Sequence, residues 1–448
     1  MIKPVIANCD SSAILARTSQ PNSRTGRMAM LGLFKIAVCC VVSAALVQCA
    51  FPQGNSVNSR AHAIQSSAIV IDAHEDTPQR FLDDNYDIGS TDPRDQDFIS
   101  LGKARSGNLG AVFFSIWVNP KTDEGHFAIR ALDLIDSVYE QAARHPEQME
   151  MAFSAEDIEH AHKQHKLATL MGIEGGHAIQ DDTRLLQDFY RLGVRYMTLT
   201  WSNTNDWADS SGDISDSTVI HHGGLTDFGR QVVMEMNRLG MMVDVSHVSD
   251  KTFWDVIATS RAPVIASHSS SRELTPSERN LGDDMLRAVA KNGGVVCVNF
   301  FSDFDDENFV HAADAQYQEM LHAVANYRAS RTATGQSVTP EQAERFEEQW
   351  LATHKIPRAP LKSLIDHIDH IARIAGVEHV GLGSDFDGVN YLPQGIDSAA
   401  DLPTITHGLL DRGYNEKSIR MILGGNILRV FRQVEQVSAQ MQDLPYHR

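Results

Sequence analysis

The sequence predicts an α/β fold, a (β/α)₈ barrel, on three observations. Eight short runs that are apolar nearly throughout recur along residues 68–385, which is typical of strands buried on both faces of a parallel sheet. Helical patterns separate most of these runs, as parallel strands require. Several runs end in histidine or carboxylate side chains, and the carboxyl ends of the strands are where such barrels place their reactive groups.

The predicted strands are rich in β-branched and other apolar residues and are bounded by polar or glycine-containing segments. In chain order they are Ala68–His74, Gly110–Val118, Ala168–Glu174, Val194–Trp201, Met241–Ser246, Pro263–His268, Gly294–Phe300 and His379–Asp385. Eight such units close naturally into a barrel.

Amphipathic patterns predict the intervening helices Phe127–Ala143, Thr183–Leu192, Thr226–Leu239, Lys251–Thr259, Asp283–Lys291 and Leu361–Ala375. Residues 301–359 depart from the alternation, because two polar helical patterns, Ala312–Thr332 and Pro340–Thr353, lie between the seventh and eighth strands. We predict a helical insertion there, near the active-site rim and too charged to have its own core. Leu402–Arg412 and Glu416–Val434 are predicted to be terminal helices outside the barrel.

The bulk composition is that of a globular protein with a large core. The chain has 448 residues, 42% of them hydrophobic and 22% charged. Its formal net charge of −19 argues against nucleic acid and against an anionic lipid surface as partners. Four of the five cysteines lie in the first 50 residues, so Cys297 alone would remain without that segment, most simply as a buried apolar residue.

Residues 1–50 are predicted to be a signal peptide or an N-terminal anchor. Basic residues precede the apolar run 36–47, which is shorter than the roughly 20 residues of a membrane-spanning helix. We therefore predict export to the periplasm or cell envelope; cleavage, lipidation at Cys49 and an uncleaved membrane anchor all remain open. Residues 51–62, rich in Ser, Asn and Gln, are predicted to be a linker to one barrel domain over 63–448.

Metal-binding side chains stand at five of the eight predicted strand ends. His74 and Asp76 follow the first strand and share a face, because residues i and i+2 of a strand point the same way. An imidazole with a carboxylate suits a divalent transition metal such as zinc. The other four ends carry Glu174 with His177, Asp244 with His247, His268, and Asp385 with Asp387. Two roles remain equally open for His177: packing in the core, or supporting the metal ligands from behind.

Together these ends can hold two metals. Glu174 is the natural bridge, since one carboxylate can give an oxygen to each of two ions, and Gly175 and Gly176 let the backbone bend close to the site. Two ions about 3.5–4 Å apart can hold a hydroxide between them and polarise a carbonyl. Asp385 would then stay free to move a proton from the attacking water to the leaving amine.

These motifs resemble the membrane (renal-type) dipeptidases, a branch of the amidohydrolase-like barrels with a binuclear zinc centre. The resemblance runs from about Ala68 to Val430. It rests on the spacing of His247 from His268 and on the segments Asp72–Asp76, Gly172–His177, Asp244–His247, Ser267–Ser270, Arg279-Asn280 and Gly383–Gly388. As a set these motifs are highly specific, although each alone is weak.

The resemblance implies a role for each motif. Five ligands would hold the zinc ions: His74 and Asp76 on one, His247 and His268 on the other, and Glu174 on both. Asp385 would be the acid/base, and Arg279 would bind the free carboxylate of the substrate through its bidentate fork. The resemblance also implies small-molecule substrates, namely dipeptides, with a D-residue tolerated at the C-terminal position. Homodimers occur in the family, although no residue here indicates one.

One position departs from the family pattern. Family members commonly place a histidine after Leu-Thr at the end of the fourth strand, where it contacts substrate and helps stabilise the tetrahedral oxyanion. Here Trp201 follows Leu199 and Thr200. An indole donates one hydrogen bond but cannot take a charge, so Trp201 either preserves a donor or reshapes the pocket. A hydrolase of another small amide or ester on the same metal centre is therefore the alternative prediction, and a metal-stabilised binding protein without catalysis is a third.

Other histidines are predicted to be structural. His160, His162 and His165 belong to a polar helical pattern and are predicted to face solvent. His367 and His370 lie three residues apart on a predicted helix, and we expect them on its exposed face.

Overall fold

The computed structural model describes residues 53–92 and 97–442, apart from the side chains of 53–57 and 341. The chain divides into the units Met1–Asn55 and Ser56–Arg448. The signal or anchor expected over residues 1–50 lies outside the described part. Among the described helices, none is both long enough and apolar enough to cross a bilayer.

A ring of parallel strands confirms the predicted barrel. Within the described residues the strands are β1 Val70–Glu75, β2 Leu109–Trp117, β3 Met149–Met151, β4 Leu167–Glu174, β5 Val194–Thr198, β6 Met242–Asp244, β7 Ile265–Ala266, β8 Val295–Val298 and β9 Val380–Leu382. The ring runs β1-β2-β4-β5-β6-β7-β8-β9 and closes where β9 pairs with β1. All eight predicted strands are present. The additional strand β3 was not predicted; it has three residues and pairs with the start of β4.

Helices surround the ring. They are α1 Gln53–Ser67, α2 Pro78–Asp83, α3 Leu101–Gly107, α4 Phe127–Arg144, α5 Ala155–Lys163, α6 Thr183–Arg191, α7 Asp227–Leu239, α8 Asp250–Thr259, α9 Asp283–Asn292, α10 Ser302–Asp305, α11 Glu307–Ala333, α12 Pro340–Thr353, α13 Leu361–Ala375, α14 Pro403–Asp411, α15 Glu416–Arg420 and α16 Asn426–Gln442. Side-chain oxygens of Ser154, Asp182, Thr226 and Ser249 cap the first turns of α5 to α8. Three of these capped helices, α6, α7 and α8, were predicted, and each begins within one residue of its predicted start.

Residues 53–62 of the predicted linker are helical and belong to α1, which begins at Gln53. Ala61, Ile64 and Ala68 are buried at helical spacing, and Gln65 Nε2 donates a hydrogen bond to the carbonyl of Gly107 at 2.7 Å. The polar composition of this segment suggested a linker, because few of its residues are apolar.

The terminal helix predicted over Glu416–Val434 is interrupted by a π-type turn, Met421–Gly425. A Cβ atom at Gly424 would lie 2.2 Å from the carbonyl oxygen of Ile69, so only glycine allows the chain this close to the barrel. The insertion predicted over 301–359 contains α10, α11 and α12, and α11 begins at Glu307 rather than at the predicted Ala312.

Two apolar layers hold the barrel together. Alternate residues of β2, such as Ala111 and Phe113, belong to the cluster inside the ring, whereas Val112 and Phe114 pack in the outer layer with the helices. Phe431 of α16 joins the inner cluster, and its ring centroid lies 6.3 Å from that of Phe113. The inner cluster, built on the first halves of the strands, leaves the carboxyl ends of the strands for polar side chains.

Candidate metal centre

Three histidine side chains from separate strand ends converge on Glu174, the last residue of β4. Glu174 Oε1 lies 2.9 Å from His247 Nε2 and 3.6 Å from His268 Nε2, whereas Oε2 lies 3.4 Å from His74 Nε2. His74 belongs to β1, while His247 and His268 follow β6 and β7. All four residues are buried. The two oxygens of one carboxylate therefore face different histidines, as a bridging ligand requires.

Two further carboxylates lie on the His74 side of this cluster. Asp76 Oδ2 is 3.5 Å from His74 Nε2, and one ligand atom from each of His74, Asp76 and Asp385 fits within 4.8 Å. A Cβ atom at Gly388 would lie 2.2 Å from Asp76 Oδ2 and 2.4 Å from Asp385 Oδ1. Glycine at this position therefore leaves the space that both carboxylates occupy.

The Nε2 atoms of the three histidines lie beside carboxylates, and two of the three imidazoles are neutral. His74 Nε2 is buried next to two carboxylates and has no hydrogen-bond partner among the described residues. Burial, reinforced by the charge of Arg279, lowers the pKa of His247 to about 4. Burial and the charge of His74 likewise hold the pKa of His268 well below its usual value. Both imidazoles are thus neutral at pH 7, the form that binds a metal.

The carboxyl group of Glu174 is held in its ionised form. Burial alone would raise the pKa of Glu174, but His74 and His247 outweigh it and hold that pKa well below the usual value. Ser115 on β2 also donates a hydrogen bond to Glu174 Oε2 at 2.9 Å. A carboxylate that is charged and fixed in orientation is what a two-metal centre needs.

Hydrogen bonds behind the histidines orient their rings. His74 Nδ1 lies 2.8 Å from the hydroxyl of Tyr196, whose ring crosses the barrel where a Cβ at Gly172 would come within 2.0 Å. His268 Nδ1 lies 2.7 Å from Ser267 Oγ, and that hydroxyl donates to Asp244 at 2.6 Å. Since the Ser267 proton goes to Asp244, Ser267 accepts from His268 Nδ1–H, which leaves Nε2 without a proton, as a metal ligand requires.

Backbone strain is concentrated at two of these residues. His247 and Asp385 have φ values of 64° and 61°, in the left-handed region that non-glycine residues seldom adopt. The backbone N–H of Asp385 donates to the carbonyl of His74 at 3.1 Å, which ties the strained turn to β1. Strain of this kind, about 1–3 kcal/mol per residue, persists where the surroundings fix the conformation and is common at functional sites.

Asp385 is placed to exchange a proton. Burial, with repulsion from Asp76 and Glu174, raises its pKa to about 7 against the opposing effect of His74. Asn299, which follows β8, donates a hydrogen bond to Asp385 Oδ2 at 2.9 Å. A carboxyl group with a pKa close to neutral can act both as a base and as an acid.

Arg279 lies beside the cluster in the loop that follows β7. Its guanidinium donates to the carbonyl of His268 at 3.2 Å and to Ser269 Oγ at 3.3 Å, and it lies 5.4 Å from the ring centre of Phe304. Burial lowers the pKa of Arg279 to about 10, so the group stays cationic at neutral pH. Among the described residues it has no carboxylate within ion-pair distance, which leaves its charge available for a ligand.

Trp201 lies at the mouth of the barrel. Its ring meets that of Trp117 edge to face at 5.0 Å and is 6.3 Å from the ring of His247. The side chain is half-buried. Its role in substrate binding stays a prediction.

The expectation that His367 and His370 face solvent is wrong, because both are buried on α13. His367 Nδ1 accepts from the backbone N–H of Ser271 at 2.9 Å, and burial lowers its pKa to about 4. This neutral imidazole supports the loop that carries Arg279. The missed signal was that His367 falls in the helical stripe of Leu364, Ile368 and Ile371.

The remaining histidines lie away from the ligand cluster. His177 is buried and donates through Nε2 to the carbonyl of Val118 at 2.8 Å, which is a packing role behind the site. His160 and His165 are exposed as predicted, and His162 is half-buried. Sequence reasoning also passed over Tyr196, Ser115 and Asn299, although Ser115 is a polar residue inside an otherwise apolar run.

Comparison with known proteins finds one family over most of the chain. Residues 58–444 match the family model of membrane dipeptidases (peptidase family M19). Dipeptidase 3 of Macaca fascicularis is 34% identical over 385 residues, covering 85% of this chain and 68% of the relative. Dipeptidase tcpJ of Claviceps purpurea (strain 20.1) is 32% identical over 357 residues, covering 77% of this chain and 71% of the relative.

Solved structures share the fold. The probable dipeptidase PvdM from Pseudomonas aeruginosa superposes with a TM-score of 0.71 at 25% identity, covering 86% of this chain and 99% of that chain. A metallo peptidase from Rhodobacter sphaeroides, liganded with a phosphinate mimic of L-Ala-D-Ala, has a TM-score of 0.65 at 25% identity, covering 82% of this chain and 100% of that one.

Proposed function

Because this chain belongs to the membrane dipeptidase family, peptidase family M19, and is therefore a metal-dependent dipeptidase, we propose that it hydrolyses dipeptides at a centre of two zinc ions. The observation that carries the proposal is the position of Glu174. One of its oxygens lies 3.4 Å from His74 Nε2 and the other 2.9 Å from His247 Nε2. A carboxylate that faces ligands on both sides suits a bridge between two ions.

The proposed ligand set is nitrogen and carboxylate oxygen throughout, which suits zinc. His74 and Asp76 would hold one ion, His247 and His268 the other, with Glu174 on both. Two bound zinc ions would polarise the scissile carbonyl and make a nucleophile of water at neutral pH.

Asp385 would carry out the proton transfers. Its carboxyl group fits within 4.8 Å of ligand atoms of His74 and Asp76, so a water at the centre is within its reach. It would take the proton of the attacking water and return it to the amine as the peptide bond breaks. Asn299 would keep the carboxyl group oriented during both transfers.

Arg279 would hold the C-terminal carboxylate of the dipeptide. Its guanidinium lies against the carbonyl of His268, next to the ligand cluster, so the peptide bond of a bound dipeptide would lie over the centre. Tolerance of a D-residue at this end is a further proposal, supported by the phosphinate mimic of L-Ala-D-Ala bound to the Rhodobacter sphaeroides relative.

A hydrolase of another small amide or ester remains the second candidate, favoured by Trp201 at the mouth where the family commonly has histidine. From the N-terminal pattern alone we also propose export to an envelope compartment, with a membrane anchor as its variant. The homodimer is proposed from the resemblance alone.

The test of the function is metal removal and return. Chelated protein is expected to lose dipeptide hydrolysis, and zinc titrated back should restore it with two ions bound per chain by elemental analysis. A panel should compare L,L and L,D dipeptides with N-acyl amino acids and amino-acid esters. No turnover of any dipeptide by metal-loaded protein would contradict the proposal, and faster turnover of the acyl or ester substrates would favour the second candidate.

Replacing Arg279 with methionine should raise the KM for dipeptides. A hydrogen bond to a charged group is worth about 1.5–3 kcal/mol, so KM should rise about 10–100-fold with a much smaller change in kcat. For dipeptide amides, which lack the carboxylate, the same substitution should change the KM little.

The matched control is Arg287→Met on α9, where an exposed guanidinium pairs with Asp283 at 3.4 Å. This variant should keep the parent KM. Equal loss for dipeptides and dipeptide amides in Arg279→Met would show that Arg279 does not bind the carboxylate.

A further inference from the structure

Trp117, the last residue of β2, faces the inside of the barrel mouth. Ala111 and Phe113 belong to the inner cluster, and residues two apart in a strand share a face. Ser115 continues this row and donates to Glu174 at 2.9 Å. Trp117 is the next member of the row and pairs in register with Glu174 itself. Its indole therefore lies one step above the ligand cluster.

Contacts on several sides fix this indole. Gln79 of α2 donates to the backbone carbonyl of Trp117 at 2.8 Å, and His177 donates to the next carbonyl, that of Val118, at 2.8 Å. The ring of Trp201 meets the Trp117 ring edge to face at 5.0 Å. The backbone and one side of the ring are thus held before any ligand arrives.

The Trp117 indole nitrogen is buried and has no acceptor among the described residues. A buried donor without a partner costs about 1–3 kcal/mol, so binding of a ligand that supplies an acceptor is favoured. An indole N–H can only donate, so the missing partner is an acceptor. Because the residue stands at the mouth, a bound substrate can supply that acceptor.

The order of the strands in the barrel indicates which group of the substrate can accept this hydrogen bond. β2 and β7 stand four places apart in the ring of eight, so Trp117 lies across the mouth from the loop that carries Arg279. A dipeptide whose carboxylate is at Arg279 extends its N-terminal residue towards β2. The terminal ammonium of that residue is a donor without a free lone pair. The acceptor that every dipeptide brings to this side is its scissile carbonyl oxygen.

We propose that the Trp117 indole N–H donates a hydrogen bond to the scissile carbonyl oxygen and stabilises the oxyanion of the tetrahedral intermediate. This hydrogen bond strengthens as negative charge develops on the oxygen, so it lowers the activation barrier of hydrolysis more than it tightens substrate binding. Trp201 acts as a positioning residue that holds the Trp117 ring. The inference rests on the proposed function and assigns a donor to Trp117, whereas the sequence alone directed attention to Trp201.

Trp117→Phe tests this, since it keeps an aromatic ring and removes the N–H. Loss of one oxyanion donor should lower kcat about 10²–10³-fold and leave KM nearly unchanged. Affinity for a phosphinate dipeptide, a tetrahedral anion, should fall in parallel with kcat/KM when measured by calorimetry on zinc-loaded protein. The matched control is Trp207→Phe: Trp207 also has a buried indole nitrogen without a partner among the described residues, but packs in the core beside Gly176. Its kcat per zinc-loaded molecule should stay near the parent value.

Three outcomes would overturn the assignment: an unchanged kcat in Trp117→Phe, a loss of substrate affinity equal to the loss of phosphinate affinity, or a kcat loss confined to Trp201→Phe. Activity of the parent enzyme separates a failure of the Trp117 role from a failure of the proposed function. An active parent with an unaffected Trp117→Phe variant contradicts only the role of Trp117, whereas a parent that cleaves no dipeptide contradicts the proposed function and this inference with it.

Discussion

Replacing Glu174 with glutamine is expected to empty the metal centre and abolish dipeptide hydrolysis. One oxygen faces His74 at 3.4 Å and the other faces His247 at 2.9 Å, so the change removes a ligand from both sides at once. The amide nitrogen of glutamine has no lone pair to offer a cation. Removing a residue that only orients a metal ligand already lowers metal affinity about 10–100-fold. Removing a ligand shared by both ions should lower the affinity for each ion further.

The measurement is zinc content after dialysis, together with kcat/KM for a dipeptide. Glu150→Gln is the control, because Glu150 on β3 pairs with Lys166 at 3.1 Å near the opposite ends of the strands and should keep both zinc and activity. A Glu174→Gln protein that still holds two tightly bound ions would refute the bridge.

Replacing Asp385 with asparagine should preserve the metals and remove the proton transfers. Asparagine can still accept the hydrogen bond from Asn299, so the side chain keeps its place. It cannot take up a proton, and the loss of one acid/base group lowers rates about 10²–10⁴-fold. The expected result is a kcat reduced by that factor with zinc content unchanged, measured on the same preparation.

Asp387→Asn is the matched control for this change. Asp387 lies two residues further in the same turn, shares the left-handed backbone with φ 63°, and accepts from Thr77 Oγ1 at 2.7 Å. This variant should lose some stability and retain the parent kcat per zinc-loaded molecule. If Asp385→Asn turned over dipeptides as fast as the parent, the acid/base would have to be another group.

The barrel and its reactive edge could be predicted because strand periodicity is a local property. His74 and Asp76 share a strand face by alternation, and parallel strands must end at one edge, so residues such as Glu174 and His268 had to meet there. No distance between them followed from this reasoning. That the two oxygens of Glu174 face different histidines depends on how the ring closes.

Tertiary contacts decided the features that sequence reasoning missed. The spacing of His367 and His370 indicated one helix face without saying which, and burial of that face gives His367 a backbone partner in Ser271. The polar composition of residues 53–62 concealed the few apolar positions that dock α1. Trp117 looked like the end of an apolar strand, and its unpartnered nitrogen is visible only once the neighbours are placed.

Closure of the ring has a consequence for how the enzyme matures. β1 pairs with β9 through Asp72 and Leu382, residues 310 positions apart, and Asp385 then bonds to the backbone of His74. The ribosome must therefore synthesise nearly the whole barrel before β1, which carries His74, can pair with β9. A nascent chain that stops short of β9 holds every proposed zinc ligand and still lacks the enclosure around them. We expect lasting zinc uptake to follow completion of the chain, and contacts this distant in sequence to make that final assembly slow.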